Sequence, residues 1–164
     1  MKNNFVEYGR FSLATFALLF VAVAGCSVQA QKQSADRIVG AWETTVTPTN
    51  CISGEPIAPA FPGVITFNEG GTVAEFGANP GTPYRTPGHG IWVSNGGEDY
   101  TMKFSFIPLN QFGAPVGRLR VTQSLQLAKF SDESSTSGGF VLTNLAGAVI
   151  ATGCSTSTAV RVTL

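Results

Sequence analysis

Between Gly40 and Val162 the apolar residues recur mostly at every second position. In Gly40 to Thr47, Trp42, Thr44 and Val46 share a face. From Tyr100 to Phe106, Tyr100, Met102, Phe104 and Phe106 oppose Thr101, Lys103 and Ser105. From 116 to 129, Leu119, Val121, Leu125 and Leu127 oppose Arg118, Arg120, Thr122, Ser124 and Gln126, and only Gln123 interrupts the apolar face. A period of two is that of a strand with one face buried.

Punctuation divides the rest. Pro48 is expected to end the first strand, and Pro56, Pro59 and Pro62 with Gly54 make 49–62 a long loop. Val64 to Phe67 and Thr72 to Phe76 flank Asn68-Glu69-Gly70-Gly71, a hairpin turn. A second Pro- and Gly-rich loop, 77–88, precedes a strand over His89 to Ser94. Ser131 to Gly139 reads as a polar turn, Phe140 to Leu145 as a strand, Ala146-Gly147 as a turn and Val149 to Val162 as the last strand. Nowhere after residue 30 does a capped helical period occur. Eight antiparallel strands joined to their sequence neighbours leave two open edges, which closure removes. The expected fold is all-β, an eight-stranded up-and-down barrel, with a β-sandwich as the alternative. Its interior is filled by side chains or holds one small ligand.

The first thirty residues stand apart. Lys2 and Arg10 precede an apolar run, Phe11 to Gly25, that is short for a bilayer span, so 1–30 reads as a signal peptide, 31–36 as a tether and 37–164 as one barrel domain. Val28-Gln29-Ala30 offers small residues for cleavage after Ala30, giving a periplasmic or secreted protein. Val23-Ala24-Gly25-Cys26 resembles a bacterial lipobox, giving a lipoprotein anchored to the outer or cytoplasmic membrane through a lipid on Cys26. Either route removes Cys26 from the thiol count, and Cys51 and Cys154 remain to form a disulfide in an oxidising compartment.

Composition agrees with strands and turns: nineteen Gly and nine Pro accompany only 12% charged residues. Beyond Ala30 there are eight basic residues (ten less Lys2 and Arg10) and nine acidic ones (ten less Glu7), scattered without a basic stripe, which argues against a nucleic-acid partner.

Candidate chemistry is sparse. His89 is the one histidine, so neither a metal site nor a cofactor is expected, and His89 and Tyr100 are the candidates for acid/base work if the barrel is an enzyme. Glu98-Asp99 and Asp132-Glu133 read as solvated turn charges, and Gly70-Gly71, Gly96-Gly97 and Gly138-Gly139 as turns, since none leads into a helix N-terminus. The aromatic set Phe67, Tyr100, Phe104 and Phe106 reads as packed core or as ligand lining. Gln123 joins the lining candidates, because a buried amide needs a partner, which a ligand, a neighbouring backbone group or water can supply.

Gly40-Ala41-Trp42 opens the first strand, Arg161 lies on the last, and Thr66-Phe67-Asn68-Glu69-Gly70-Gly71-Thr72 forms an aromatic-then-glycine hairpin. Together they resemble lipocalins and their calycin relatives, and the hairpin is similar to those of small bacterial lipocalin-like domains. The resemblance implies that Trp42 closes one end of the barrel and that Arg161 packs across it, a cation–π contact worth on the order of 0.5–2 kcal/mol. Unlike larger lipocalins, the chain is short, has no helix before its last strand and has a long Pro-rich loop after its first. The function expected is a binding or interaction module of the cell envelope, holding a small apolar ligand in its interior or using its open end and long loops to contact a partner. The alternatives are a cyclase- or isomerase-type barrel enzyme and a purely structural envelope protein.

Overall fold

The computed structural model describes residues 37–164. The leader, Cys26 and the tether 31–36 lie outside the described residues. Arg37 and Ile38 take helical backbone conformation and lead directly into eight strands. These are β1 (Gly40–Thr49), β2 (Phe61–Phe67), β3 (Thr72–Gly77), β4 (Gly88–Gly96), β5 (Asp99–Phe106), β6 (Arg118–Leu127), β7 (Glu133–Thr143) and β8 (Val149–Arg161). Each pairs antiparallel with the next, and β1 closes on β8 from Trp42 opposite Arg161 to Thr49 opposite Cys154. The sheet is a closed up-and-down barrel and not a sandwich.

One end of the interior is solid. Trp42, Phe67, Val73, Trp92, Tyr100 and Leu127 pack there with Ile38, and the Trp92 ring meets Phe67 and Tyr100 edge-on at 6.2 and 5.9 Å between centroids. The indole N–H groups do not go unmet: Trp42 Nε1 donates to the Ile38 carbonyl and Trp92 Nε1 to the Asn68 carbonyl, both at 3.0 Å. Buried indoles need such partners.

Arg161 fastens this end. Its guanidinium carbon lies 4.3 Å from the Trp42 ring centroid, Nη1 donates to the Val39 carbonyl at 2.7 Å, Nη2 donates to the Arg37 carbonyl, and Nε pairs with Asp132 at 2.7 Å. Gly40 makes room for it. Its φ is +138°, and a Cβ there would stand 2.6 Å from Arg161 Nη1. The Gly-x-Trp spacing thus has a local cause: glycine admits the arginine that lies over the tryptophan two residues on. Arg161→Gln leaves two carbonyls without their cationic donor and is expected to cost about 2 kcal/mol. A urea titration that shows no lowered midpoint would refute this role.

Several boundaries differ from the sequence reading. Pro48 does not end β1, which continues to Thr49. The Pro48 carbonyl faces the loop, where it accepts from Ile57 N–H at 3.0 Å, so its missing N–H falls on the same side, beyond the last β1–β2 pair at Val46 and Phe61. No ladder bond is lost there. Phe61 and Pro62 belong to β2, so the first loop is 50–60. The polar turn expected over 131–139 is largely strand: β7 pairs residue by residue with β6 from Ser134 opposite Leu127 to Thr143 opposite Arg118. Its alternation is carried by small groups, with Ser134 and Thr136 buried and Ser135 and Ser137 exposed. Gly138-Gly139 is likewise strand and not turn. A Cβ on Gly138 would stand 2.1 Å from the Thr122 carbonyl oxygen, so only glycine lets β7 approach β6 this closely. Of the four charges assigned to solvated turns, Glu98 is ion-paired with Arg37 and Asp132 with Arg161.

Candidate binding cavity

The other end of the barrel is hollow. A cavity of about 330 Å³ occupies it, and the sequence cause lies in two strands. The inward residues of β8 at this end are Ala151, Gly153, Ser155 and Ser157, and those of β7 are Thr136 and Gly138 before Phe140 and Leu142. An eight-stranded barrel has just enough interior for its side chains to fill. A wall built largely from such small residues leaves space that Phe104 and Phe106 of β5 line without filling.

The cavity is graded along the barrel axis. On β1, β6, β7 and β8 the deepest lining residues are Thr44, Gln123, Thr136 and Ser157, and the next inward positions toward the solid end are Trp42, Leu125, Ser134 and Ala159, all buried. The floor is therefore largely polar on this side, while Ile65 and Met102 complete it on the other. Thr136 and Ser157 share a hydroxyl hydrogen bond of 2.7 Å, and Gln123 Nε2 donates to Ser155 Oγ at 2.9 Å. Above the floor the wall is apolar, built by Val46, Phe104, Val121, Phe140 and Leu142.

Charge returns near the mouth. Arg85, with only 4% of its side chain exposed, holds Glu75 through both terminal guanidinium nitrogens, Nη2 at 2.5 Å and Nη1 at 3.4 Å. Its guanidinium carbon lies 3.5 Å from the Phe106 ring centroid and 5.5 Å from that of Phe76. A bidentate arginine set on an aromatic face has little freedom left. The pair is neutral as a unit.

Four loops frame the opening, and each is held by an asparagine. Asn50, Asn79, Asn110 and Asn144 accept backbone N–H bonds through Oδ1, from Ile52, Gly81, Phe112 and Ala148 respectively, at 2.8–2.9 Å. Side-chain-closed turns of this kind fix loop geometry locally. The β3–β4 loop is also hydrogen-bonded to the β5–β6 loop, Leu109 N–H to the Tyr84 carbonyl and Thr86 N–H to the Ile107 carbonyl. The disulfide between Cys51 and Cys154 ties the β1–β2 loop to β8 on this rim. Apolar tips project from the frame, with Ile52 99%, Phe112 83%, Leu145 72% and Tyr84 53% exposed.

Of the residues singled out as ligand lining, Phe104, Phe106 and Gln123 lie in the cavity wall. Phe67 and Tyr100 do not; they are buried in the solid end. The acid/base candidates fare differently from what an enzyme would need. His89 is exposed on the outer face of β4, and Tyr100 is sealed in the core, so neither lines the cavity. Sequence reasoning missed Glu75, Arg85, Thr136, Ser155 and Ser157. Glu75 carries a readable signal, since it follows Val73 on the inward side of β3, and the want of large side chains on β8 is another.

The chain was compared with known families, curated proteins and solved structures. No family model, curated protein or solved structure matches it. The architecture and the cavity therefore carry the functional argument.

Proposed function

We propose that the barrel is a lipocalin-like binding module that takes one small, mainly apolar molecule into its hollow end. One observation carries this reading: an apolar-walled cavity of about 330 Å³ sits inside a barrel whose buried core is gathered around Trp42 at the other end. That volume is at the lower end of the range for small-molecule sites. The Gly40, Trp42 and Arg161 arrangement supports kinship with lipocalins. Export is supported by the leader pattern and by the cysteine pair, because disulfides persist in oxidising compartments. A lipid on Cys26 is part of the same proposal and is the expected link to a membrane. The enzyme reading has lost its acid/base candidates from the cavity, and a purely structural role gives no reason for the hollow.

The test is titration with the neutral fluorophore N-phenyl-1-naphthylamine. Saturable one-site binding with a blue-shifted emission is expected. Val121→Phe, which pushes a ring into the cavity, is expected to weaken it at least tenfold while leaving the far-ultraviolet circular dichroism unchanged. Unsaturable binding by the unaltered protein, or equal binding by the folded variant, would overturn the reading.

A further inference from the structure

Gln123 is 5% exposed and sits at the cavity floor. Its amide nitrogen is engaged by Ser155, but Oε1 has no hydrogen-bond partner among the described residues. A buried amide oxygen left unpaired is costly, and its place in the lining of a cavity means that a bound molecule can supply the donor. We infer that the ligand is a neutral, hydroxyl-tipped apolar molecule that enters polar end first and donates its O–H to Gln123 Oε1. This inference rests on the proposal that the cavity binds a small molecule, and it adds the ligand's chemical class and orientation.

Three features select this class. The free group is an acceptor, so the ligand must donate, which an ether or an ionised carboxylate cannot do. The hydroxyls of Thr136 and Ser157 lie at the same depth, so the polar tip meets a polar floor and not hydrocarbon. Finally, among the described residues the only charged side chains in the lining are Glu75 and Arg85, which already neutralise one another. An anionic head would reach the floor without a counter-charge, and an isolated charge in such a site is strongly disfavoured. The apolar wall between floor and mouth then covers the rest of the molecule.

The experiment measures displacement of bound N-phenyl-1-naphthylamine by three probes of similar length: 1-octanol, 1-methoxyheptane and octanoate at pH 7.5. Octanol is expected to displace the dye at roughly one tenth of the concentration needed for the ether, the scale of one unmade buried hydrogen bond, and octanoate to be weaker than octanol by at least as much. In Gln123→Leu, near in volume, the alcohol-to-ether ratio is expected to fall to about one. Using the ratio within each protein cancels any change in dye affinity. Failure of the dye to bind saturably counts against the cavity as a binding site. Saturable dye binding with no preference for octanol, or a preference that survives Gln123→Leu, overturns the inference alone. Should the leucine variant not fold, the ranking of the three probes on the unaltered protein decides.

Discussion

Trp42→Ala is expected to lower the unfolding free energy by about 4 kcal/mol, within the range of about 3–5 kcal/mol for emptying a buried aromatic site. Trp42 is 0% exposed, so the full indole volume becomes a void in the solid end of the barrel. The ring also organises its surroundings, since it supplies the donor for the Ile38 carbonyl and the face on which Arg161 lies. Arg161 would then remain tied to the Arg37 and Val39 carbonyls over an empty space. Against a small domain's stability of about 5–15 kcal/mol, this approaches unfolding at 37 °C. Trp42→Phe retains most of the volume and forfeits the indole N–H, so a much smaller loss is expected. Urea unfolding followed by tryptophan fluorescence, which Trp92 still reports, gives both values. Equal midpoints for the alanine variant and the unaltered protein would sink the assignment of Trp42 as the centre of the packed end.

Removing the disulfide with Cys51→Ala and Cys154→Ala together is expected to have an effect of similar size. The two cysteines are 103 positions apart in sequence, and constraining a loop of about a hundred residues in the unfolded chain contributes roughly 4.7 kcal/mol in the chain-entropy model, with natural bridges in small exported domains typically worth about 2–5 kcal/mol. Closure gives the bond a further task. It sits beside the last pair of the β1–β8 seam, Thr49 opposite Cys154, where the barrel would begin to open. The double variant should therefore melt well below the oxidised protein, and reductant should lower the melting temperature of the unaltered protein while leaving the variant unchanged. If reductant destabilises both equally, the bridge is not the cause.

The alternation of large apolar residues made most of the barrel legible in advance. Tyr100, Met102, Phe104 and Phe106 announce an inward face without ambiguity, and so do Leu119, Val121, Leu125 and Leu127. Where the inward residues are Ser134, Thr136 and Gly138, the same period is written in side chains that also suit a surface turn, and the first part of β7 could not be distinguished from one, while its end from Phe140 onward was legible as strand. Its pairing with β6 and β8, a tertiary effect, decides the matter. The site was harder to read. Phe67, Tyr100, Phe104 and Phe106 all face inward, yet two stand in the packed half and two in the hollow half, because that depends on height along the barrel axis. Height follows from strand register and tilt, which alternation does not encode. Gln123 was visible as an exception within its own strand. Glu75 and Arg85 were not visible as a pair, since a loop rich in proline and glycine separates them and only its folded path brings them together.

The split of the interior into a filled end and an empty end has a consequence for how this protein can diverge. Most of the adhesion that keeps it folded is gathered around Trp42 and Arg161, while the shape of the hollow is set by Val121, Phe140, Leu142 and their neighbours further up the same ribbons. Mutations in the second group do not touch the first. A lineage of such barrels is thus free to reshape that hollow by small steps, each tolerated by a scaffold that does not depend on it.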